Sequence, residues 1–329
     1  MPEADSKDSP MRATPPVRLF RRALLACLGF SFALVAQAQV PAPAAAPALE
    51  LVVLGSGGPG ATGRAGSAHL VLVDGVPRIL VDAGPGSFAR LGEGRLSLAK
   101  VDVVLLTHLH VDHAGELPGL FKARAVASGG PITFNVFGPD GHVGSGGDAS
   151  FPSTSKLVDL LFGPQGAFGY LRDFSAPMTI KATDIGTAAA KEPTTIYNEG
   201  GVVVSAVPGH HRDAPAVIYR IDHAGKSITF SGDIDADGLP GLRRIARDTD
   251  LLVFNSVVLD PPGSPPVLYT LHTPPRTIGE TADESRAGRL VLAHLSPTIE
   301  SARAAVEASI AQRYKGPISF ASDGLRVVP

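Results

Sequence analysis

The chain has 329 residues, 44% of them hydrophobic and 18% charged, which is enough to bury a sizeable core and too apolar for a disordered tail. Its 29 basic and 31 acidic residues leave a formal net charge of −2, so there is no global electrostatic attraction for nucleic acid. A single cysteine, Cys27, excludes an intramolecular disulfide and any multi-cysteine zinc site.

Arg12, Arg18, Arg21 and Arg22 precede an apolar run from Ala23 to Ala36, and Ala36-Gln37-Ala38 is a small-x-small cleavage pattern before Gln39. This is the three-part layout of a secretory signal peptide. The sixteen residues from Ala23 to Ala38 fall short of the roughly 20 that a membrane-spanning helix needs. Residues 1–38 are therefore expected to be removed, leaving a periplasmic or secreted protein without a membrane anchor. Arg21-Arg22 also admits a twin-arginine route. Cleavage removes five bases and three acids, so the mature chain carries 24 against 28 and a net charge of −4. Residues 39–49 read as a Pro/Ala-rich linker.

From residue 50 onward the pattern is that of a folded domain. Short apolar runs at 51–54, 68–73 and 78–81 predict an opening set of strands. The continuous run 101–106 predicts a central strand covered on both faces. Further strands are predicted at 132–137, 201–207, 215–221, 226–231, 250–254 and 289–293, and helices at 114–127, 153–162, 239–248, 275–287 and 299–312. Paired strands followed by strand–helix alternation give a mixed α/β class with helices on the sheet faces. The Gly/Pro/Ser-rich stretch 139–200 reads as an insertion or lid. Gly55-Ser56-Gly57-Gly58-Pro59-Gly60 matches a dinucleotide fingerprint, but that fingerprint needs a helix directly afterwards. A strand-like segment follows instead, so the match reads as a glycine-rich loop at the rim of a site.

The chemistry concentrates at the end of the 101–106 strand. Thr107-His108-Leu109-His110-Val111-Asp112-His113 places three imidazoles and one carboxylate within six residues. Alternation puts His108 and His110 on the same side, and the turn brings Asp112 and His113 round towards a second point. Neutral imidazole and carboxylate are ligands suited to zinc and similar divalent ions. So dense a cluster after an apolar strand reads as a metal site rather than a solvated polar loop.

This segment resembles the His-x-His-x-Asp-His signature of the metallo-β-lactamase-fold hydrolase superfamily, and the resemblance continues in order through most of residues 50–329. Phe230-Ser231-Gly232-Asp233 is similar to the strand-end aspartate that bridges two metals in that superfamily. Leu292-Ala293-His294-Leu295-Ser296 is similar to its last histidine ligand, and Leu80-Val81-Asp82-Ala83-Gly84 to its structural strand–turn element. One ligand remains, and the adjacent His210 and His211 offer two candidates. In the ribonuclease Z-like branch a strand-end histidine precedes a Tyr-Arg strand, here Tyr219-Arg220, and His211 fits that spacing better than His210.

The resemblance implies an α/β fold, the four-layer αββα sandwich, with two divalent ions, zinc being the first choice. It implies His108, His110 and His211 at one ion, Asp112, His113 and His294 at the other, and Asp233 with a hydroxide between them. Asp112 would also orient that hydroxide. His272, in Tyr269-Thr270-Leu271-His272-Thr273-Pro274, matches a histidine that faces the scissile group in ribonuclease Z-like relatives, where it protonates a leaving group or holds an oxyanion. Thr273 and Pro274 read as the N-cap and first residue of the following helix. His69, His142 and His223 lack ligand spacing and read as ordinary strand or surface residues.

The leading expectation is an exported dinuclear metal hydrolase of a small ester-type substrate (a sulfate, phosphodiester, carboxylic ester or lactone), as in the arylsulfatase-like branch. The alternative is a ribonuclease Z-like phosphodiesterase that processes tRNA 3′ ends. Export separates the protein from tRNA, and a net charge of −4 gives little attraction to a phosphate backbone. Phe151, Phe162, Phe168 and Tyr170 in the 139–200 stretch would form an apolar lid suited to a compact substrate. A non-catalytic metal-binding protein of the same fold is the reading from a different class, and the complete ligand set stands against it. The expected partner is a small molecule, not nucleic acid, and homo-oligomerisation is left open.

Overall fold

Leu49–Gly55 (β1), Ala68–Val73 (β2) and Val76–Val81 (β3) run as an antiparallel meander. The β2–β3 turn is Asp74-Gly75, with both φ angles positive at 49° and 78°, the backbone that a two-residue hairpin of right-twisted strands requires. In this computed structural model the described residues are 46–60, 62–144, 150–188, 192–212 and 214–329. The expected signal peptide, 1–38, and most of the linker lie outside them. Ser87–Glu93 (α1) then leads to Val103–Leu105 (β4), which lies parallel to β3. Val111–Ala114 (α2) and Leu117–Ala127 (α3) follow, and Ile132–Pro139 (β5) pairs parallel with β4.

The stretch 139–200, expected as an insertion or lid, contributes framework. Thr154–Phe162 (α4) packs over the sheet, Met178–Ile185 (β6) adds a parallel edge strand beside β5, and Thr194–Glu199 (β7) forms the edge of a second sheet. Both strands are polar on their outer residues and rich in threonine, a pattern typical of sheet edges that carries little apolar signal. Val202–Pro208 (β8), Val217–His223 (β9) and Lys226–Phe230 (β10) continue that sheet antiparallel. Leu239–Ile245 (α5), Leu251–Asn255 (β11), Pro275–Glu284 (α6), Arg289–Ala293 (β12), Pro297–Ser301 (α7) and Arg303–Ile310 (α8) alternate to the end, with Ile318–Phe320 (β13) extending the parallel part. Arg326–Val327 (β14) crosses back to pair with β1.

Among the described residues the sheets are therefore β14-β1-β2-β3-β4-β5-β6 and β13-β12-β11-β10-β9-β8-β7. One apolar core lies between them, drawing Leu51, Val71, Val103 and Leu105 from the first sheet and Tyr219, Phe230 and Val253 from the second. A second core packs the first sheet against α1, α3 and α4, and a third packs the second sheet against α5, α6 and α8. The layers are thus helix, sheet, sheet, helix, the expected αββα sandwich. In each sheet an antiparallel part gives way to a parallel part. The carboxyl ends of the parallel strands β4, β10 and β12 open on one edge of the sandwich, where ligand-binding residues tend to collect.

Candidate metal centre

Strand β4 is fully buried and ends at Leu105, so the chain leaves the core directly into Thr107 and His108. The loop that follows is tied from both sheets: Thr107 N–H donates to Asp82 Oδ1 at 2.8 Å, and Val217 N–H of β9 donates to the Thr107 carbonyl at 2.7 Å. The Tyr219 hydroxyl donates to the Leu106 carbonyl at 3.0 Å. These ties hold His108 and His113 with no solvent exposure. Helix α2 starts at Val111, so one turn separates His110 from Asp112 and His113.

The structure brings the expected ligands together in overlapping sets. In each set one ligand atom per residue lies within 4.8 Å of the others: His108, His110 and His211; His108, His113 and Asp233; Asp112, His113 and His294; and His211, Asp233 and His272. His108 Nε2 and His110 Nδ1 are 3.0 Å apart, and His294 Nε2 is 3.1 Å from Asp112 Oδ2. Asp233 occupies the middle. Its Oδ2 is 3.7 Å from His113 Nε2, 3.8 Å from His211 Nε2, 3.8 Å from His272 Nδ1 and 3.4 Å from His294 Nε2.

The histidine doublet divides. His211 is buried, its Nδ1–H donates to the Leu271 carbonyl at 2.8 Å, and its Nε2 faces the cluster. His210 turns outward, with Nδ1 on Asp235 at 2.7 Å, so the alternative ligand is set aside. His272 is buried beside Asp233. Helix α6 starts at Pro275, as the 275–287 prediction has it, but its N-cap is Pro274 rather than Thr273, whose Oγ1 donates instead to the Ile234 carbonyl at 2.9 Å. Of the four aromatic side chains expected above the metals, Phe151 alone among them has a ring contact with a candidate ligand, His110, at 5.6 Å. Phe162 is core, stacked on Phe121, and Tyr170 packs on Phe174 and is 55% exposed.

Three supporting residues had no ligand signature in the sequence. Asp82, at the end of β3 in the left-handed region with φ 59°, accepts from His113 Nδ1 at 2.7 Å and from the Thr107 hydroxyl at 2.9 Å. That bond fixes the ring so that Nε2 turns into the cluster, as an outer-sphere carboxylate does for a metal-bound imidazole. Asn255, at the end of β11, donates to Asp233 Oδ1 at 2.7 Å and leaves Oδ2 for the histidines. Gly58 lies against His294: a Cβ there would stand 2.8 Å from the imidazole ring. The glycine-rich loop is thus a wall of the site.

Burial and mutual charge set the protonation of the metal-free cluster. Burial disfavours a charged His113, yet Asp82, Asp233 and Asp112 outweigh it and raise its pKa to about 9. Burial and the charge on His113 hold His108 well below the usual imidazole range. Burial also lowers His272 to about 4, against the pull of Asp233. Asp233 is buried too, but His294, His113, His272 and His211 keep its carboxyl well below the usual carboxylate range. Two aspartates and five histidines converging here, with His113 Nε2 lacking any hydrogen-bond partner, form a donor set that fits divalent cations. His108, His110 and His211 would hold one ion and Asp112, His113 and His294 another, with Asp233 between.

Comparison with known proteins agrees with this fold. The sequence pattern of the family described as Beta-lactamase superfamily domain matches residues 77–295. Ribonuclease Z of Mycolicibacterium paratuberculosis is 27% identical over 293 residues, covering 85% of this chain and 98% of that protein. Among solved structures, the metallo-beta-lactamase fold protein YhfI from Bacillus subtilis superposes with a TM-score of 0.62 at 18% identity, over 85% of this chain and 98% of that one. The short form of human tRNase Z gives a TM-score of 0.62 at 22% identity, over 85% and 99%.

Proposed function

The chain belongs to the β-lactamase superfamily, and from that premise we propose that it is an exported hydrolase of a small ester-type substrate, working with two divalent ions, zinc first among them. The observation that carries the reading is Asp233, with one oxygen held by Asn255 and the other shared among four histidines between two ligand triads. Divalent ions bound there supply Lewis acidity and a nucleophile from water at neutral pH. The protein's own residues do the positioning. Asp82 sets His113, the Leu271 carbonyl sets His211, and Asn255 sets Asp233, so the donors need little rearrangement to take up ions. Asp112 orients the attacking water. His272, beside Asp233 but in neither triad and kept neutral by burial, would donate an N–H hydrogen bond to the leaving oxygen as its charge develops.

The signal-peptide pattern of residues 1–38 and the mature net charge of −4 support a small substrate outside the cytoplasm. A second reading, a ribonuclease Z-like phosphodiesterase, is favoured by the similarity to ribonuclease Z along nearly that protein's whole length. The test is turnover by the zinc-loaded mature protein of nitrophenyl carboxylates, nitrophenyl sulfate, bis-nitrophenyl phosphate and a precursor tRNA. Cleavage of a small ester supports the first reading. Efficient cleavage of precursor tRNA alone overturns it in favour of the second.

A further inference from the structure

Strand β2 carries a polar residue where its pattern calls for an apolar one. Alternation sends Ala68, Leu70 and Leu72 into the core under the helices, and Val71 and Val73 into the core between the sheets. His69 shares the face of Val71 and Val73, and its ring lies 5.5 Å from that of Phe230 on the opposite sheet. It is 2% exposed, and burial, with the nearby charge of His113, lowers its pKa to about 3, so the imidazole stays neutral. Neither ring nitrogen has a hydrogen-bond partner among the described residues. The carbonyl of Val81, its partner across the strands, pulls the pKa upward without reaching hydrogen-bond geometry. The Ser67 hydroxyl, two residues back and equally buried, also lacks a partner among the described residues. Unpaired polar groups are costly in a core, and two so close together call for a common partner.

Both side chains line a cavity of about 10 Å3 whose walls are buried residues throughout. That is the space of a single water. Its other polar walls are Asp82, Thr107 and Asn255, and two of these are the outer supports of the metal ligands. Asp82 accepts from the Thr107 N–H, the Thr107 hydroxyl and His113 Nδ1, three donors on about four lone-pair sites. Asn255 gives an N–H to Asp233 Oδ1 and keeps its own Oδ1 as an acceptor.

We propose that one fixed water occupies this cavity and ties the two supports together, with Ser67 and His69 as the positioning residues that hold it. Donors and acceptors match in number. The water accepts from the Ser67 hydroxyl and the His69 N–H and donates to Asp82 and to Asn255 Oδ1, which fills its hydrogen-bonding capacity. The link does what neither support does alone. Asp82 sets the ring of His113 on the loop after β4, and Asn255 sets Asp233 at the end of β10. A water shared between them keeps the ligands from the two sheets in register. This inference rests on the metal-dependent reading of the site and concerns how its donors are held, not which ester is cleaved.

A high-resolution crystal structure of the zinc-loaded protein should show one ordered water within hydrogen-bond distance of Ser67, His69, Asp82 and Asn255. A cavity without density there would overturn the proposal, whatever the activity. Zinc affinity by chelator competition is the second arm. His69→Leu should weaken zinc binding by about 10-fold, the low end of the range for outer-sphere changes, while the urea midpoint holds or rises because an unpaired polar group is gone. His69→Gln keeps a donor and an acceptor and should bind zinc nearly as the unaltered protein does. A role in packing alone predicts the reverse order, with leucine better than glutamine, and that result would overturn the idea. Ser67→Ala provides the same comparison where His69→Leu fails to fold, and unchanged zinc affinity in it would count against the water. A double-mutant cycle reads the link itself: Asp82→Asn and Asn255→Ala should be non-additive in zinc affinity, and additive once His69→Leu is present. Additivity in both backgrounds would leave the supports independent. A protein that shows the water and this order of affinities but cleaves no ester would sink the hydrolase reading alone.

Discussion

His108, His110, Asp112 and His113 lie within six residues on one loop, whereas His211, Asp233 and His294 come from three separate chain segments. The first group is local: a buried strand ends, one turn of helix begins, and the side chains are already neighbours. The second is assembled by topology, from the β8–β9 turn and the ends of β10 and β12. Each group is braced differently. Asp82 holds the local group through His113, while Asn255, the Leu271 carbonyl and the Gly58 backbone hold the dispersed one. A compact motif thus needs one outer carboxylate, but each dispersed ligand needs a support of its own.

The largest effect is expected where the two groups meet. Asp233→Ala removes the shared carboxylate and leaves the Asn255 amide without its partner, so turnover should vanish and at least one ion per chain should be lost by elemental analysis. A variant that keeps both ions and full turnover would show that the groups work independently. His272→Ala comes next. Loss of one hydrogen-bond donor to a developing oxyanion lowers kcat by about 10²–10³-fold, with both ions retained. The loss should shrink for nitrophenyl leaving groups relative to alkoxides, and an equal loss for both would assign His272 to binding instead.

Asp82→Asn attacks the local group from behind. Outer-sphere changes of this kind cost about 10–100-fold in metal affinity, measurable by chelator competition. It also has a pH signature in metal-free protein. With His113 raised to about 9, its contribution to stability is fully present below the ordinary imidazole pKa and is lost as pH rises through about 9. Asp82→Asn should flatten that alkaline decline in urea midpoints, and an unchanged profile would place the origin of the decline elsewhere. The mildest probe is Gly58→Ala. A Cβ 2.8 Å from His294 should weaken metal affinity a few-fold through the dispersed group alone. It should leave the His113 pH profile intact, and a loss as large as that of Asp82→Asn would mean that the wall is as important as the brace.

The local ligand group was legible because its residues are adjacent and because an apolar strand announces where they emerge. Asp233 and His294 were legible only as strand-end residues within an ordered series, and spacing favoured His211 of the doublet without fixing which way either ring turns. Asp82 was read as a turn element, and Asn255 carried no signal at all, since an amide at the end of a buried strand looks like any other. The edge strands β6, β7, β13 and β14 escaped notice for a related reason. Strands that bury one face partly, or are two or three residues long, show neither a continuous apolar run nor clean alternation.

Periodicity and composition were sufficient for the α/β class, the central strands and the candidate metal loop, because each depends on residues a few positions apart. The direction of His210 and His211, the bond from Asp82 to His113 and the meeting of both groups at Asp233 were decided by the packing of two sheets. The contact between Asp82 and His113 spans 31 positions and that between Asp112 and His294 spans 182. Such contacts exist only after the strands pair and stack, and no local pattern encodes which carboxylate will face which ring.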